Sequence, residues 1–401
     1  MSLEKSNKIG VGTATIIGMN AMIGAGIFGI TSLLASKVGA AGILTYLFAF
    51  FAVWFIAQSI ARAAYLWPEQ GSFYTYTRQW GGHTMGLIAA SAYLLGFLFA
   101  MTLLCRIIGE YLHNLIPSVS AEVLGTITLT VLIGLNMMGA VLSQIGQYIL
   151  IACTLFPLIA TTFLCFTKMS PVNLNPFMPY GIISVIEGTR VAIFGLFGFE
   201  SVTALFNIVE KPEKNVPKAL LYALCIVGII YFFFISSIIL AVPLTVFTSN
   251  PDATIPQALQ FLFPDYTFIV HLINFAIISA MLGTVHSMIW AGSELLLSFC
   301  TITRSPRLQK LVKNGTITQK TTVLACGLII FICFKNIHNK DLFFTLTDIG
   351  LIFPYITTMI ALLFQQAEWK SGQNIKTILG LTTACIIFGI SIHKLIEPMI
   401  L

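Results

Sequence analysis

Residues Asn20–Ile30 read NAMIGAGIFGI, and their three glycines, Gly24, Gly26 and Gly29, interrupt an apolar run that covers residues 11–35. A glycine in a helix interior costs roughly 1 kcal/mol relative to alanine and frees the backbone from helical geometry. The pattern therefore predicts either two helices that pack very closely or one helix that is broken. The rest of the chain favours the broken helix.

The composition is that of a chain embedded in lipid. Of the 401 residues, 57% are hydrophobic and only 9% are charged, whereas a soluble domain carries about 25% charged residues. Outside the apolar runs there is no basic run with interleaved aromatic residues. The lipid bilayer is therefore the predicted surrounding, and nucleic acid is not expected as a partner.

The residue types that carry chemistry form no catalytic pattern. The eight cysteines lie in or at the edges of apolar runs without metal-ligand spacing, and the six histidines are scattered singly. We therefore expect no metal, no cofactor and no enzyme activity.

The apolar segments predict an all-α integral membrane protein with about eleven transmembrane helices in a single domain, residues 1–401. The candidate spans lie near 12–36, 41–66, 73–115, 121–140, 144–167, 184–209, 218–242, 266–300, 321–335, 341–365 and 374–395. The third and eighth are too long for one perpendicular crossing. Most of the 21 lysines and arginines fall in loops on the side of the N-terminus, so the N-terminus is predicted to be cytoplasmic.

A second interruption occurs in the sixth span, VAIFGLFGFESVTALF at Val191–Phe206, which combines Gly195 and Gly198 with Glu200. A carboxylate at the bilayer centre is costly unless it is paired, solvated or protonated. One interpretation is a protonated glutamate bonded to a neighbouring helix. The other is a functional carboxylate beside an aqueous cavity.

The two interrupted spans are five apart, which predicts two five-helix repeats, residues 12–167 and 184–365, and an additional helix at 374–395. An odd number of spans inverts the second repeat relative to the first, as in many secondary transporters. Helices 1 and 6 would be discontinuous, and the partial charges of their ends suit the carboxylate and ammonium groups of an amino acid. Close packing at GAGIF stays the alternative.

Four stretches of the chain form a recognisable set of motifs. They are GAGIF at Gly24–Phe28, PEQGSFYTY at Pro68–Tyr76, FGFES at Phe197–Ser201 and EKPEKNVPKAL at Glu210–Leu220. They resemble motifs of the amino acid–polyamine–organocation (APC) superfamily of transporters. Their order and spacing fit over residues 8–365, and bacterial amino acid antiporters and permeases are most similar. The resemblance implies a secondary active amino acid transporter of the cell inner membrane that works by alternating access, as an antiporter or a proton-linked permease.

Three alternatives stay open: a sodium-coupled amino acid symporter of the same fold, a polyamine or amine exchanger, and a non-transporting membrane sensor or scaffold. A sodium site would need hydroxyls of the eighth span, where Thr284 and Ser287 are available. Assembly as a homodimer is also open.

The resemblance further implies the residues of the substrate site. The substrate carboxylate is expected near Ala25, Gly26 and Ile27, and its amine near Met22, Phe194 and Phe197. The other implied substrate-site residues are Gly96, Phe97, Met101, Gly198 and Met288, with residues around 347–351 of the tenth helix. Phenylalanine and methionine at these positions favour a substrate with an apolar or aromatic side chain over arginine.

Five ionisable residues within the spans have predicted roles. We assign gating or proton coupling to Glu200, His286 and Asp348. Arg106, four residues before Glu110 on the third span, is expected to form an ion pair with it.

Overall fold

The computed structural model describes residues 8–24, 26–138, 140–249, 254–303, 305–365 and 371–400. Its α-helices are α1 Val11–Met22, α2 Gly26–Val38, α3 Gly42–Leu66, α4 Phe73–Leu115, α5 Ala121–Met137, α6 Ala140–Phe166, α7 Gly181–Phe194, α8 Pro212–Ala241, α9 Leu244–Ser249, α10 Ile255–Leu262, α11 Thr267–Ile302, α12 Pro306–Lys313, α13 Gln319–Asn336, α14 Lys340–Phe364 and α15 Ser371–Ile400. Three 3₁₀ segments are Gly39–Ala41, Pro171–Leu174 and Phe199–Leu205. The described residues form no strand, only an isolated bridge between Ile9 and Val209, so the predicted all-α fold is confirmed.

Eight helical stretches are long and apolar enough to cross a bilayer. They are Gly26–Leu66, Phe73–Leu115, Gln144–Phe166, Gly181–Leu205, Pro212–Ala241, Thr267–Ile302, Leu342–Phe364 and Gly372–Ile396. Two shorter apolar helices, α1 and α5, accompany them. The chain is therefore a multi-pass membrane protein, and the count of eleven crossings stays a prediction.

The long helix α4 consists of two helical parts joined at a kink. Gly82 lies inside this 43-residue helix with φ 69° and ψ −169°, a conformation that glycine adopts without steric cost. The helix is therefore kinked at Gly82, and the first turns need not continue along the axis of the part that crosses the bilayer.

The core is built on two long helix pairs, α4 with α14 and α6 with α11. At the first pair, a Cβ atom on Gly96 would lie 2.8 Å from the Cα atom of Gly350, so the two backbones touch. A third pair, α3 with α8, is joined by the Tyr46 hydroxyl, which donates to the Gly228 carbonyl at 3.0 Å. In the predicted repeats, α4 of the first half corresponds to α11 of the second, and α6 corresponds to α14. The α4–α14 and α11–α6 pairs are therefore equivalent contacts, as two related repeats predict. The repeat boundaries themselves stay a prediction.

The predicted ion pair between Arg106 and Glu110 is wrong. Arg106 instead donates to the carbonyl oxygens of Phe334 and Ile337, at 2.5 and 2.9 Å, where α13 ends. Glu110 accepts a hydrogen bond from Lys340 at 2.5 Å. The two side chains therefore connect α4 to α13 and α14. Arg106 and Glu110 do not pair with each other because partners on neighbouring helices lie within reach of both.

Candidate functional site

The predicted break in the first span is confirmed. α1 ends at Met22, Ile23 leaves helical geometry with ψ 85°, and α2 begins at Gly26. Ala25, a predicted contact of the substrate carboxylate, lies outside the described residues. The Met22 carbonyl, released from the helix, accepts a hydrogen bond from the Tyr231 hydroxyl of α8 at 3.0 Å. Because the first four N–H groups of any helix lack partners within it, α2 presents amide donors at this break.

An oxygen-rich corner borders the same break. Thr284 Oγ1 lies 2.9 Å from the carbonyl oxygen of Asn20, 3.0 Å from that of Ile23 and 3.1 Å from that of Ala280. A hydroxyl has one hydrogen to donate, so three carbonyl oxygens share a single donor. Four oxygen atoms from α1 and α11 therefore converge at the end of the broken helix.

The second predicted break is confirmed between α7 and the 3₁₀ segment Phe199–Leu205. Gly198 between them has φ 112°, a left-handed conformation that favours glycine. A Cβ atom on Gly198 would lie 2.5 Å from the carbonyl oxygen of Ala21, and one on Gly26 would lie 3.6 Å from the Cα atom of Gly195. The two interruptions are therefore in direct contact with each other.

A cavity of about 390 Å³ lies at these interruptions, a size typical of small-molecule sites. Its described lining residues are Ala21, Met22, Gly24, Gly26, Gly29, Ile30, Leu33, Ala100, Met101, Leu103, Leu104, Ile107, Val191, Phe194, Gly195, Phe197, Thr284, Met288, Phe344, Thr347 and Leu351. The predicted substrate residues among them are Met22, Gly26, Met101, Phe194, Phe197, Met288, and Thr347 and Leu351 of the predicted range 347–351. Only Thr284 and Thr347 contribute polar side chains to the described lining, and none of these residues is ionisable.

The other described members of the predicted set are buried but do not line this cavity. Gly96 forms the backbone contact with α14, and Gly198 forms the contact with α1. Phe97 packs against a glycine of α11, whose Cβ would lie 3.0 Å from the phenylalanine ring. Ile27 is fully buried in the core. The roles of these residues, and of those that line the cavity, in binding substrate stay predictions.

Several lining residues were missed by the sequence reasoning. Ile30 and Leu33 follow Gly26 at helical spacing on α2, and Leu104 and Ile107 follow Met101 in the same way on α4. That spacing places them on the same helix face as the predicted residue. Extending the predicted face of each helix by two turns therefore identifies them. Phe344 on α14 lies three residues before Thr347 of the predicted range 347–351, on the same helix face, and its ring centroid lies 5.0 Å from that of Phe194.

Glu200 lies at the second break and is fully buried. Its Oε2 atom accepts a hydrogen bond from the Gly198 amide at 2.9 Å, while Oε1 has no hydrogen bond of good geometry among the described residues. The hydroxyls of Tyr93 on α4 and Tyr355 on α14 interact electrostatically with the carboxylate. Glu200 therefore stands where the broken helix meets the α4–α14 pair.

The other two predicted gating residues lie elsewhere. His286 is buried between α5, α6 and α11, with its Nδ1 atom 2.8 Å from Asn136 Nδ2. Asp348 accepts a hydrogen bond from Ser391 on α15 at 3.2 Å. The structure does not bring Glu200, His286 and Asp348 together, and their predicted roles stay predictions.

A buried amide cluster, also missed from the sequence, joins the first break to two other helices. Asn20 Nδ2 donates to Oε1 of Gln147 on α6 at 2.6 Å and to the Gln147 carbonyl at 2.9 Å. Ser287 on α11 donates to the same Oε1 atom at 2.6 Å. Gln147 is a polar residue inside an apolar span, and its rarity there is the signal that marks it.

A neighbouring cavity shares part of the lining of the central cavity. A second cavity of about 560 Å³ shares Gly29, Leu33 and Ile107 with it. This outer cavity is also lined by Lys37 on α2 and Thr254 before α10, which belong to the predicted external side. The central cavity therefore adjoins a cavity that reaches residues of that predicted side.

The opposite side is held together by hydrogen bonds. The Ile9 amide donates to the Ile208 carbonyl at 2.7 Å, and the Glu210 amide donates to the Ile9 carbonyl at 2.9 Å. The hydroxyls of Ser72 and Thr203 lie 2.6 Å apart. These contacts join the start of α1 and the start of α4 to the chain that follows the second break.

The fold is a multi-pass helical bundle in which two broken helices meet at a central cavity. It therefore belongs to the class of membrane proteins with discontinuous spans. Residues 13–395 match the family described as Amino acid permease, and the chain belongs to that family. The branched-chain amino acid permease BcaP of Bacillus subtilis (strain 168) is 27% identical over 255 residues, 57% of this chain and 54% of the relative. The gamma-aminobutyric acid permease of Escherichia coli (strain K12) is 24% identical over 246 residues, 57% of this chain and 52% of the relative.

The chain thus aligns with about half the length of these two relatives. Among solved structures, a Na⁺-coupled sialic acid symporter in a substrate-bound outward-open state matches with a TM-score of 0.66 and 12% sequence identity. The match covers 96% of this chain and 90% of the symporter chain, and it shows that the two share a fold.

Proposed function

We propose that this protein is a secondary active amino acid transporter that works by alternating access in the cell inner membrane, with its N-terminus in the cytoplasm. Family membership supports the substrate class. The observation that carries the proposal is the central cavity, which both broken helices line and which adjoins a second cavity at the predicted external side. An alternating-access transporter has a central site of this kind when the site is accessible from one side of the membrane.

The amide end of α2 is the proposed site for the substrate carboxylate. The N-terminus of a helix carries unpartnered N–H groups and a partial positive charge. Gly26, the first residue of α2, lines the cavity, so no side chain stands between these amides and a bound anion. The ammonium group of the substrate then lies toward Met22, at the negative end of α1.

The side chain of the substrate is proposed to be large and neutral. Met101, Phe194, Phe197, Met288 and Phe344 surround the space beyond the two helix ends. A charged side chain would lose its hydration here without an opposite charge among the described lining residues, which is strongly unfavourable. Leucine, isoleucine, valine and the aromatic amino acids fit this surface, and polyamines do not. The similarity to a branched-chain amino acid permease agrees with this choice.

Access from the other side requires the inner contacts to open. In the proposed motion, α1, α2, α3, α7 and α8 rock against α4, α5, α11 and α13, which pack on one another. This motion separates Ser72 from Thr203 and breaks the hydrogen bonds of Ile9. Glu200 faces both groups of helices, so its charge state sets how firmly they are held together.

Coupling is proposed to occur by exchange of substrates or through a proton on Glu200. Sodium coupling is the second candidate, and the oxygen-rich corner at Thr284 favours it, because carbonyls of unwound helices coordinate Na⁺ in transporters of this architecture. The carbonyl oxygens of Asn20, Ile23 and Ala280 and the Thr284 hydroxyl would be its ligands.

Uptake by the purified protein in liposomes tests these proposals. Labelled leucine should accumulate in proteoliposomes but not in protein-free vesicles, and unlabelled arginine should compete poorly. A dependence on internal amino acid indicates exchange, a dependence on a pH gradient indicates proton coupling, and loss of uptake when choline replaces sodium indicates sodium coupling. Absence of flux for all amino acids under all three conditions would contradict transport and favour the sensor or scaffold alternative.

A further inference from the structure

A short helix between α11 and α13 has an apolar face that the described residues leave partly exposed. α12 reads PRLQKLVK, and none of its residues is buried. At 3.6 residues per turn, Leu308, Leu311 and Val312 lie on one face of α12, while Lys310 and Lys313 lie on the opposite face. Leu308 is 36% exposed and Leu311 is 39% exposed, so the described residues leave part of this face uncovered.

The surroundings of α12 are strongly basic. Residues 301–320 contain five basic residues, Arg304, Arg307, Lys310, Lys313 and Lys320, and no aspartate or glutamate. Those that the structure describes, Arg307, Lys310, Lys313 and Lys320, are exposed. None of these four side chains takes part in the ion pairs found among the described residues. The segment therefore offers positive charge that no ion pair among the described residues neutralises.

The connections of α12 hold it at the membrane surface. α11 crosses the bilayer and ends at Ile302, and α12 begins at Pro306. The Gln309 side chain donates to the carbonyl oxygens of Thr303 at 2.8 Å and Thr301 at 3.4 Å. α12 is therefore fastened by one of its own side chains to the end of a spanning helix.

We infer that α12 is an interfacial helix whose leucine face enters the headgroup layer and whose basic residues bind anionic phospholipids of the cytoplasmic leaflet. An amphipathic basic helix lies in the membrane plane with its apolar face at the acyl boundary, and anionic headgroups attract each nearby lysine or arginine. A neutral leaflet would accept the leucine side chains but would provide no anionic headgroups for the basic residues. Because Gln309 binds the end of α11, lipid bound to α12 also restrains the helix that carries Thr284 and Met288.

Hydrogen exchange of the full-length protein in lipid nanodiscs tests the inference. Single copies are placed in discs of phosphatidylcholine alone or of phosphatidylcholine mixed with phosphatidylglycerol, and exchange is followed in peptides that cover residues 305–316. The wild-type amides should exchange more slowly in the phosphatidylglycerol discs. The triple variant Arg307→Gln, Lys310→Gln, Lys313→Gln should lose this difference between the lipids.

A matched control removes equal charge from another loop at the same predicted membrane face. Lys211, Lys214 and Lys218 are exposed at the start of α8, and the triple change to glutamine there should leave the lipid dependence of α12 intact. The double variant Leu308→Ser, Leu311→Ser keeps the charge and should lose protection in both lipids.

Equal exchange of wild-type α12 in both lipids would overturn the inference, as would lipid dependence that survives the first triple variant. Protection that appears only when discs hold two copies of the protein would also overturn it, in favour of a contact between copies. Protection that appears only after a soluble protein is added would point to that partner and equally contradict lipid binding.

Discussion

Adding one methyl group should destabilise the protein at one helix break and leave its stability unchanged at the other. In Gly198→Ala the new Cβ would lie 2.5 Å from the Ala21 carbonyl oxygen and 2.7 Å from its carbon, at a φ of 112°. A residue held in such a backbone region costs about 1–3 kcal/mol, and an overpacked core costs about 1–3 kcal/mol more. The two effects together predict a loss of about 2–6 kcal/mol in the free energy of unfolding.

The matched control is Gly26→Ala at the other break. Its Cβ would meet Gly195 at 3.6 Å and Ile30 at 3.9 Å, which are ordinary contact distances. Alanine is also the better helix former by up to about 1 kcal/mol. Gly26→Ala should therefore fold as well as the wild type.

Thermal unfolding of both purified variants, followed by fluorescence-detected size-exclusion chromatography, measures the difference. Gly198→Ala should unfold at a clearly lower temperature than wild type, and its leucine uptake in proteoliposomes should fall because α1 and α7 no longer meet correctly. A Gly198→Ala variant as stable as Gly26→Ala would refute the direct contact between the two breaks.

Three further changes test the site itself. Gly26→Val should weaken leucine binding at least about tenfold, equivalent to about 1.4 kcal/mol, because a branched side chain enters the cavity at the amide end of α2; isothermal titration that gives the wild-type affinity would count against this site. Glu200→Gln should alter the pH dependence of uptake while the protein still folds, since glutamine keeps the shape but cannot ionise, and an unchanged pH profile would remove Glu200 from coupling. Thr284→Val should reduce the free energy of unfolding by about 1–3 kcal/mol, because buried carbonyls lose their hydrogen-bond donor. If uptake requires sodium, this variant should also lose the sodium dependence. An unaltered melting temperature would show that the hydroxyl is dispensable.

The positions of the two breaks were predictable because glycine acts through its own backbone. Gly24, Gly26 and Gly198 stand in apolar runs where a helix would otherwise continue, and helix interruption follows from local chemistry. The helices were predictable for a similar reason, since the length of an apolar run is a property of the sequence. Glu200 was recognisable as exceptional because a carboxylate in an apolar span is costly in any fold.

The direction in which a side chain points from its helix was decided by tertiary structure. Phe97 and Met101 lie one turn apart on α4, yet only Met101 lines the central cavity, while Phe97 packs against α11. Gly96 serves a contact with Gly350 that is far away in sequence. The rotation of α4 about its own axis determines all three outcomes, and that rotation depends on the fit between α4 and α14 rather than on either helix alone.

Sequence by itself determined that this chain is a helical membrane protein with two interrupted spans, because hydrophobic length and glycine act locally. Tertiary structure alone decided that the interruptions touch, that a cavity forms there, and that His286 and Asp348 lie away from Glu200. Those facts depend on how helices distant in sequence pack against one another. Packing is a property of complementary surfaces, and a single helix carries only one half of each surface.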